Sequence, residues 1–212
     1  MKKELAKFWD FLWHSNSVWS WALNVVLAFV IIKFLLYPLI GLVLGTQLPV
    51  VAVISDSMEH PSGDQWLSDL AHCPNGPCTQ EAWYIEKGIT AQNFTFFPFR
   101  YGFNKGDIMI LTGEKPQNIH LGDVVVFKPN SSTNSSEKRL SYPVIHRVVA
   151  IHDYNRTYVF ETKGDNNPSQ IRTTYLDETN ISQSQLLGVA KVKLPYLGYV
   201  KIWFSSVFGL TK

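Results

Sequence analysis

Residues 18–44 read VWSWALNVVLAFVIIKFLLYPLIGLVL, and LPVVAVISDSMEH follows at 48–60. The first stretch exceeds the ~20 apolar residues that cross a bilayer and carries one charge, Lys33. A core helix this long and apolar does not suit a chain of 212 residues. A cleaved signal peptide would hold its apolar region closer to the basic start. The stretch therefore predicts a transmembrane helix over 18–45. Lys33 would snorkel or face a protein groove, and Pro38 would kink the helix. Trp19, Trp21 and Tyr37 suit the membrane interfaces.

The preceding residues, MKKELAKFWDFLWHSNS, place Leu5, Phe8, Trp9 and Leu12 at i, i+3, i+4 and i+7. With Lys2, Lys3 and Lys7 they predict an amphipathic segment over 1–17 on the cytoplasmic membrane surface. Everything beyond about Leu48 would then lie outside the cytoplasm. The Asn-x-Ser/Thr sequons at Asn93, Asn130, Asn134, Asn155 and Asn180 all fall on that side, as in a glycosylated exterior domain. So do Cys73 and Cys78, in HCPNGPC. Two cysteines are too few for a zinc site of their own. In an oxidising compartment they read as a local disulfide, and otherwise as two thiols of a surface loop.

After residue 45 the texture becomes β-like. Val50–Ile54, Ile108–Leu111, Val124–Phe127, Val144–Ile151, Tyr158–Thr162 and Val189–Lys193 are rich in Val and Ile. Gly106-Asp107 and Gly122-Asp123 open two of these runs, as turn residues do. The reading is a mainly β external domain over 46–194, with insertions at 60–105 and 129–140. An apolar, aromatic segment at 195–212 is short for a second crossing and suited to an interface. The formal charge of +2 gives no sign of a nucleic-acid partner.

Two residues attract chemical interest. Ser57 follows an apolar run, and His146 lies within a β-branched strand, PVIHRVVAI. A serine nucleophile needs a base and oxyanion donors, and neutral histidine has a suitable pKa. Spacing alone favours a buried histidine held by hydrogen bonds to the backbone. The other histidines show no metal-ligand spacing.

Five pieces in order change this balance: Ser55-Asp56-Ser57-Met58, Gly122-Asp123-Val124-Val125-Val126-Phe127, Val144-Ile145-His146-Arg147-Val148, Thr162-Lys163-Gly164-Asp165-Asn166-Asn167 and Leu194-Pro195-Tyr196-Leu197-Gly198-Tyr199. Together, behind a membrane anchor, they resemble type I signal peptidases of the archaeal and endoplasmic-reticulum branch, over most of residues 18–200. The resemblance implies a signal-peptidase-like β-rich catalytic domain. It implies Ser57 as nucleophile, His146 as base where the bacterial branch carries lysine, and Ser55 as an oxyanion donor beside the Ser57 amide. It also matches Asp165 to the first aspartate of the G-D-N-N motif. The branch usually carries a second aspartate six residues later, where this chain has Ile171. Asp165 is taken as the acid orienting His146. Asp177, or a Ser-His dyad with no acid, are the alternatives.

The implied activity is a serine endopeptidase that removes signal peptides of preproteins after small residues, with no metal or organic cofactor. Its partners would be those signal peptides, the lipid bilayer and the secretion translocon. Its expected place is an archaeal plasma membrane, single-pass, with the N-terminus cytoplasmic and the catalytic domain extracellular. Soluble self-cleaving peptidases of repressor type use lysine as base, which His146 and the anchor disfavour. A catalytically silent, membrane-tethered assembly subunit is the alternative from a different functional class.

Overall fold

The computed structural model describes residues 2–15, 17–129 and 142–197. The sequons Asn130 and Asn134, all but the first residue of the 129–140 insertion, and residues 198–212 of the C-terminal segment lie outside the described residues, as do the side chains of Leu5 and Phe8. Two compact units divide at residue 47.

The first unit holds helix α1 (Lys2–His14), helix α2 (Val18–Ile31), a π-helical turn (Ile32–Leu36) and helix α3 (Tyr37–Leu44). Ser17 caps α2, its hydroxyl accepting the Trp19 N–H at 3.3 Å. Carbonyls in the last turn of a helix lack intrahelical partners. Here α2 supplies them: the Ser20 hydroxyl donates to the Phe11 carbonyl at 2.6 Å, and the Asn24 amide to that of Leu12 at 2.8 Å. Leu12 is buried, whereas Trp9, expected on the same face, is exposed.

From Val18 to Leu44 the chain is one helix of 27 residues. Among the described residues it is the helix long and apolar enough to cross a membrane. Just before Pro38, where the kink was expected, the helix makes this π turn. There the Tyr37 N–H reaches the Ile32 carbonyl, five residues back. Lys33 lies in this turn, its ammonium 5.6 Å from the Phe29 ring centre and 5.4 Å from that of Phe34.

The second unit is built on β1 (Val50–Ala52), β2 (Leu70–Cys73), β3 (Gly76–Thr79), β4 (Ile108–Thr112), β5 (Val124–Phe127), β6 (Val144–Tyr154), β7 (Thr157–Lys163), β8 (Ile181–Ser182) and β9 (Leu186–Leu194). Seven of them form one antiparallel sheet in the order β1-β4-β9-β5-β6-β7-β8, and β2 pairs with β3. The protein is thus mainly β behind an N-terminal helix of membrane-spanning length. All six Val- and Ile-rich runs contribute strands.

Side chains alternate across a strand, and central β5 uses both faces. Val124 and Val126 join Val53, Met58, Met109 and Leu111 in one cluster. Val125 and Phe127 join Val148, Phe160, Ile181 and Val189 in a second. That is why β5 reads as a continuous apolar run.

The segment expected as an insertion at 60–105 is folded. The β2–β3 hairpin is closed by the Cys73–Cys78 disulfide, with Cα atoms 5.8 Å apart. Helix α4 (Gln80–Glu86) is capped by Thr79, and α5 (Ala91–Phe94) by a Thr90/Asn93 capping box. Trp66, Trp83, Tyr84, Ile89 and Phe94 pack as a third cluster on Val149 of β6. Sequon residues Asn93, Asn155 and Asn180 are exposed.

The chain returns from this insertion through Gly102, at φ +65°. A Cβ there would lie 2.4 Å from the Met58 carbonyl oxygen, which accepts the Phe103 N–H. Gly102→Ala is expected to lower stability by about 1–3 kcal/mol, read from chemical denaturation in detergent. It should also lower any activity that depends on residues 55–58.

Candidate active site

The Ser57 turn is set between two anchors. Upstream, Val53 exchanges backbone hydrogen bonds with the 106–107 turn before β4: its N–H donates to Asp107, and its carbonyl accepts from Gly106, both at 2.9 Å. Downstream, Met58 is buried in the first core cluster. Between them Ser55 and Asp56 are exposed and Ser57 is half-buried. The Ser55 and Ser57 hydroxyls are 3.2 Å apart.

His146 comes from β6, opposite Val125 of β5. Its Nε2 lies 3.0 Å from the Ser57 Oγ, although 89 residues separate the two in sequence. Its Nδ1 lies 2.5 Å from Oε1 of Glu178, a fully buried carboxylate. The pair opens on a cleft of about 410 Å³ whose lining includes Val51, Val53, Ser55, Val144, Ile171 and Leu176.

Asp165, expected to orient His146, does not meet it. Successive residues of a strand point to opposite faces, and Asp165 pairs with Arg147, the neighbour of His146. The Arg147 Nη2 donates to Asp165 at 2.7 Å and the Nε at 2.9 Å. Tyr84 donates its hydroxyl to the same carboxylate at 2.9 Å, and the His60 Nε2 lies 3.0 Å from it. His60 stacks on Trp66 at 3.9 Å. Asp177 also misses His146; its Oδ1 accepts from the N–H and hydroxyl of Thr179. Sequence reasoning missed Glu178, the residue beside Asp177, because no spacing rule marks which of two adjacent acids turns inward.

The Gly164–Asn167 loop passes between the Ser57 turn and the insertion. The Asn166 N–H donates to the Ser57 carbonyl at 2.8 Å, and its side-chain amide to that of Asp56 at 3.0 Å. A Cβ at Gly164 would come within 2.9 Å of the His146 Nε2 and 2.8 Å of the Ser57 carbonyl oxygen. Only glycine lets the chain run so close. On the other side the His72 N–H donates to the Pro168 carbonyl at 2.8 Å, and the Gln80 amide to that of Asn167 at 3.0 Å.

Burial pushes the Asp165 carboxyl up, but the Arg147 guanidinium and the hydrogen bonds from His60 and Arg147 more than offset this. They hold it well below the usual carboxylate range. Lys163 is also buried. Desolvation pushes its ammonium down to about 7, against the opposing pull of Asp165 and Glu178. Its Nζ donates to Gln80 Oε1 and to the Gly164 carbonyl, so it is engaged away from Ser57.

No protein-family model matches the chain. Over 102 residues it is 34% identical to the signal peptidase complex catalytic subunit SEC11C of Homo sapiens, covering 47% of this chain and 49% of that protein. Over 118 residues it is 30% identical to the signal peptidase complex catalytic subunit SEC11 of Schizophyllum commune, covering 47% and 56%. The corresponding subunit of Candida dubliniensis is 31% identical over 106 residues, covering 49% and 58%. The chain is a relative of these signal peptidase catalytic subunits. This similarity points the same way as the resemblance carried by the ordered motifs. It spans about half the length of the curated relatives it matches.

The Arg147–Asp165 pair yields a test of stability. A buried ion pair that loses one partner costs about 3–5 kcal/mol, so Asp165→Asn is expected to destabilise the β domain by that order. The folded-state pKa of Asp165 lies below its unfolded value. Its contribution is therefore present above about pH 4 and lost as pH falls toward the folded-state pKa. Thermal unfolding of the parent between pH 6 and pH 2 should show this loss, and Asp165→Asn should lack that part of the acid dependence.

Proposed function

We propose that the chain is a membrane-bound serine endopeptidase that removes N-terminal signal peptides from preproteins, cleaving after small residues. The observation that carries this reading is the 3.0 Å approach of the His146 Nε2 to the Ser57 Oγ beside an open cleft. The relatives, named as signal peptidase catalytic subunits, support the substrate class.

In the reaction the His146 Nε2 takes the proton of the Ser57 hydroxyl as Oγ bonds to the scissile carbonyl carbon. The carbonyl oxygen becomes an oxyanion, for which the Ser55 hydroxyl and the Ser57 amide are the donors. Each such donor is worth on the order of 3 kcal/mol. Collapse of the adduct breaks the C–N bond, and His146 returns the proton to the leaving amine. Water, deprotonated by His146, then attacks the acyl ester and frees Ser57. The apolar lining from Val51, Val53 and Val144 suits small side chains on the acyl side of the cleavage point.

Position in the chain fits this task. Ser57 lies about a dozen residues beyond the membrane-length helix, near where a signal peptide's cleavage region leaves the bilayer. Lys2, Lys3 and Lys7 favour a cytoplasmic N-terminus. The β domain would then face the exterior or lumen, where a disulfide such as Cys73–Cys78 persists.

The test is cleavage of a preprotein with an Ala-x-Ala site by the full chain in detergent. The parent should cut after the second Ala, while Ser57→Ala and His146→Ala should each lose at least about 10³-fold in kcat. A serine-directed phosphonate should label the parent and leave Ser57→Ala unlabelled. A folded parent that neither cleaves nor labels would instead be a silent subunit.

A further inference from the structure

We propose that Glu178 is the positioning residue of this site: its carboxylate holds His146 in the orientation and tautomer that a base requires, where the relatives' branch carries an aspartate. The inference rests on the reading of Ser57 and His146 as nucleophile and base.

The carboxylate is held at both oxygens. Oε1 takes His146 Nδ1 at 2.5 Å and the Thr162 hydroxyl at 3.2 Å. Oε2 takes the Ile171 N–H at 2.7 Å. Both side chains are nearly sealed from water, His146 at 4% and Glu178 at 0% exposure. A carboxylate bonded on each oxygen and fixed in low dielectric is a preorganised partner for an imidazole that must accept a proton.

The chain path explains why a glutamate serves. Residues 171–178 make a tight excursion that returns on itself. The Glu178 N–H donates to the Ile171 carbonyl at 2.9 Å, Arg172 bridges Asp177, and the Thr173 N–H donates to the Leu176 carbonyl at 2.8 Å. Ile171, where the branch carries its second aspartate, is thus paired with Glu178. The carboxylate arrives from the opposite arm of this excursion, and glutamate's extra methylene gives it the reach. The Thr162 N–H fixes that arm by donating to the Glu178 carbonyl at 2.8 Å.

With Nδ1–H donated to Glu178, the Nε2 lone pair faces Ser57, and the imidazolium formed on proton transfer keeps an anion in contact. The surroundings hold other charges. Asp165 is neutralised by Arg147, Lys163 is bonded to Gln80 and the Gly164 carbonyl, and Tyr84 donates to Asp165. Phe127 packs edge-on at 6.5 Å. Glu178 is the charged group in direct contact with the imidazole.

The experiment compares parent, Ser57→Ala, Glu178→Gln and Glu178→Asp, each as the full chain in detergent, on the Ala-x-Ala preprotein across pH. Glu178→Gln is expected to lose about 10³-fold in kcat with KM little changed. The acid limb of kcat/KM should move to lower pH by about one unit or more, because an imidazolium without its anion is less favoured. Glu178→Asp keeps the charge and should fall between the two in both readouts. NMR titration of His146 in Ser57→Ala, with and without Glu178→Gln, should show the same downward shift without any turnover. Retained kcat in Glu178→Gln, or an unmoved His146 titration, overturns the assignment. A parent that cleaves nothing overturns the peptidase reading, and the histidine titration alone then decides the pairing. If Glu178→Gln does not fold, a Glu178→Asp protein indistinguishable from the parent in kcat and titration overturns the assignment.

Discussion

The fully buried Arg147–Asp165 pair constrains most of what surrounds it. A guanidinium taken out of water is tolerable only with its donors engaged and its charge matched. Here Nε and Nη2 bond to Asp165, Nη1 donates to the carbonyls of Pro98 and Gly122, and Nη2 also reaches that of Phe99. One side chain thereby ties β6 to the end of the insertion and to the turn before β5. Neutralising it fixes the position of Asp165. The next residue, Asn166, then holds the Ser57 and Asp56 carbonyls. The separation of Ser57 from His146 follows from a charge requirement on the opposite face of the same strand.

That dependence gives the insertion a purpose. An antiparallel sheet can leave one face in water, and a solvated Arg147 would lose most of its hold on Asp165. The aromatic cluster of Trp66, Trp83, Tyr84 and Phe94 covers this face and turns a surface pair into a buried one. Tyr84 and His60 add hydrogen bonds from the same module. The disulfide and capped helices hold a segment that grips the loop beside Ser57 and His146 at Asn167 and Pro168.

The sheet was legible because its central strands are β-branched and bounded by turns, as in Val124–Phe127 and Val144–Ile151. Two-residue β8 carries no period, and the β2–β3 hairpin lies in a Pro- and Gly-rich stretch whose composition reads as loop. Ser57 and His146 were legible only through an ordered set of motifs, since neither residue signals chemistry alone. The acid facing His146 was not legible. Asp165 carries the stronger motif but belongs to Arg147. Asp177 and Glu178 are adjacent, and which one turns inward depends on the pairing of Ile171 with Glu178, a tertiary fact.

The membrane-length helix meets a polar demand by a similar local adjustment. Pro38 has no N–H to give, and a proline inside an α-helix usually bends it. Here the turn before it widens, so that the Tyr37 N–H reaches back five residues. The extra residue turns everything beyond it by about 100° relative to a continuous α-helix. Tyr37, Pro38, Gly41 and Gly45 then share one open groove. Lys33 sits at this irregularity with its ammonium over two phenyl rings. Such cation–π contacts would offset part of the cost that a charge meets in hydrocarbon.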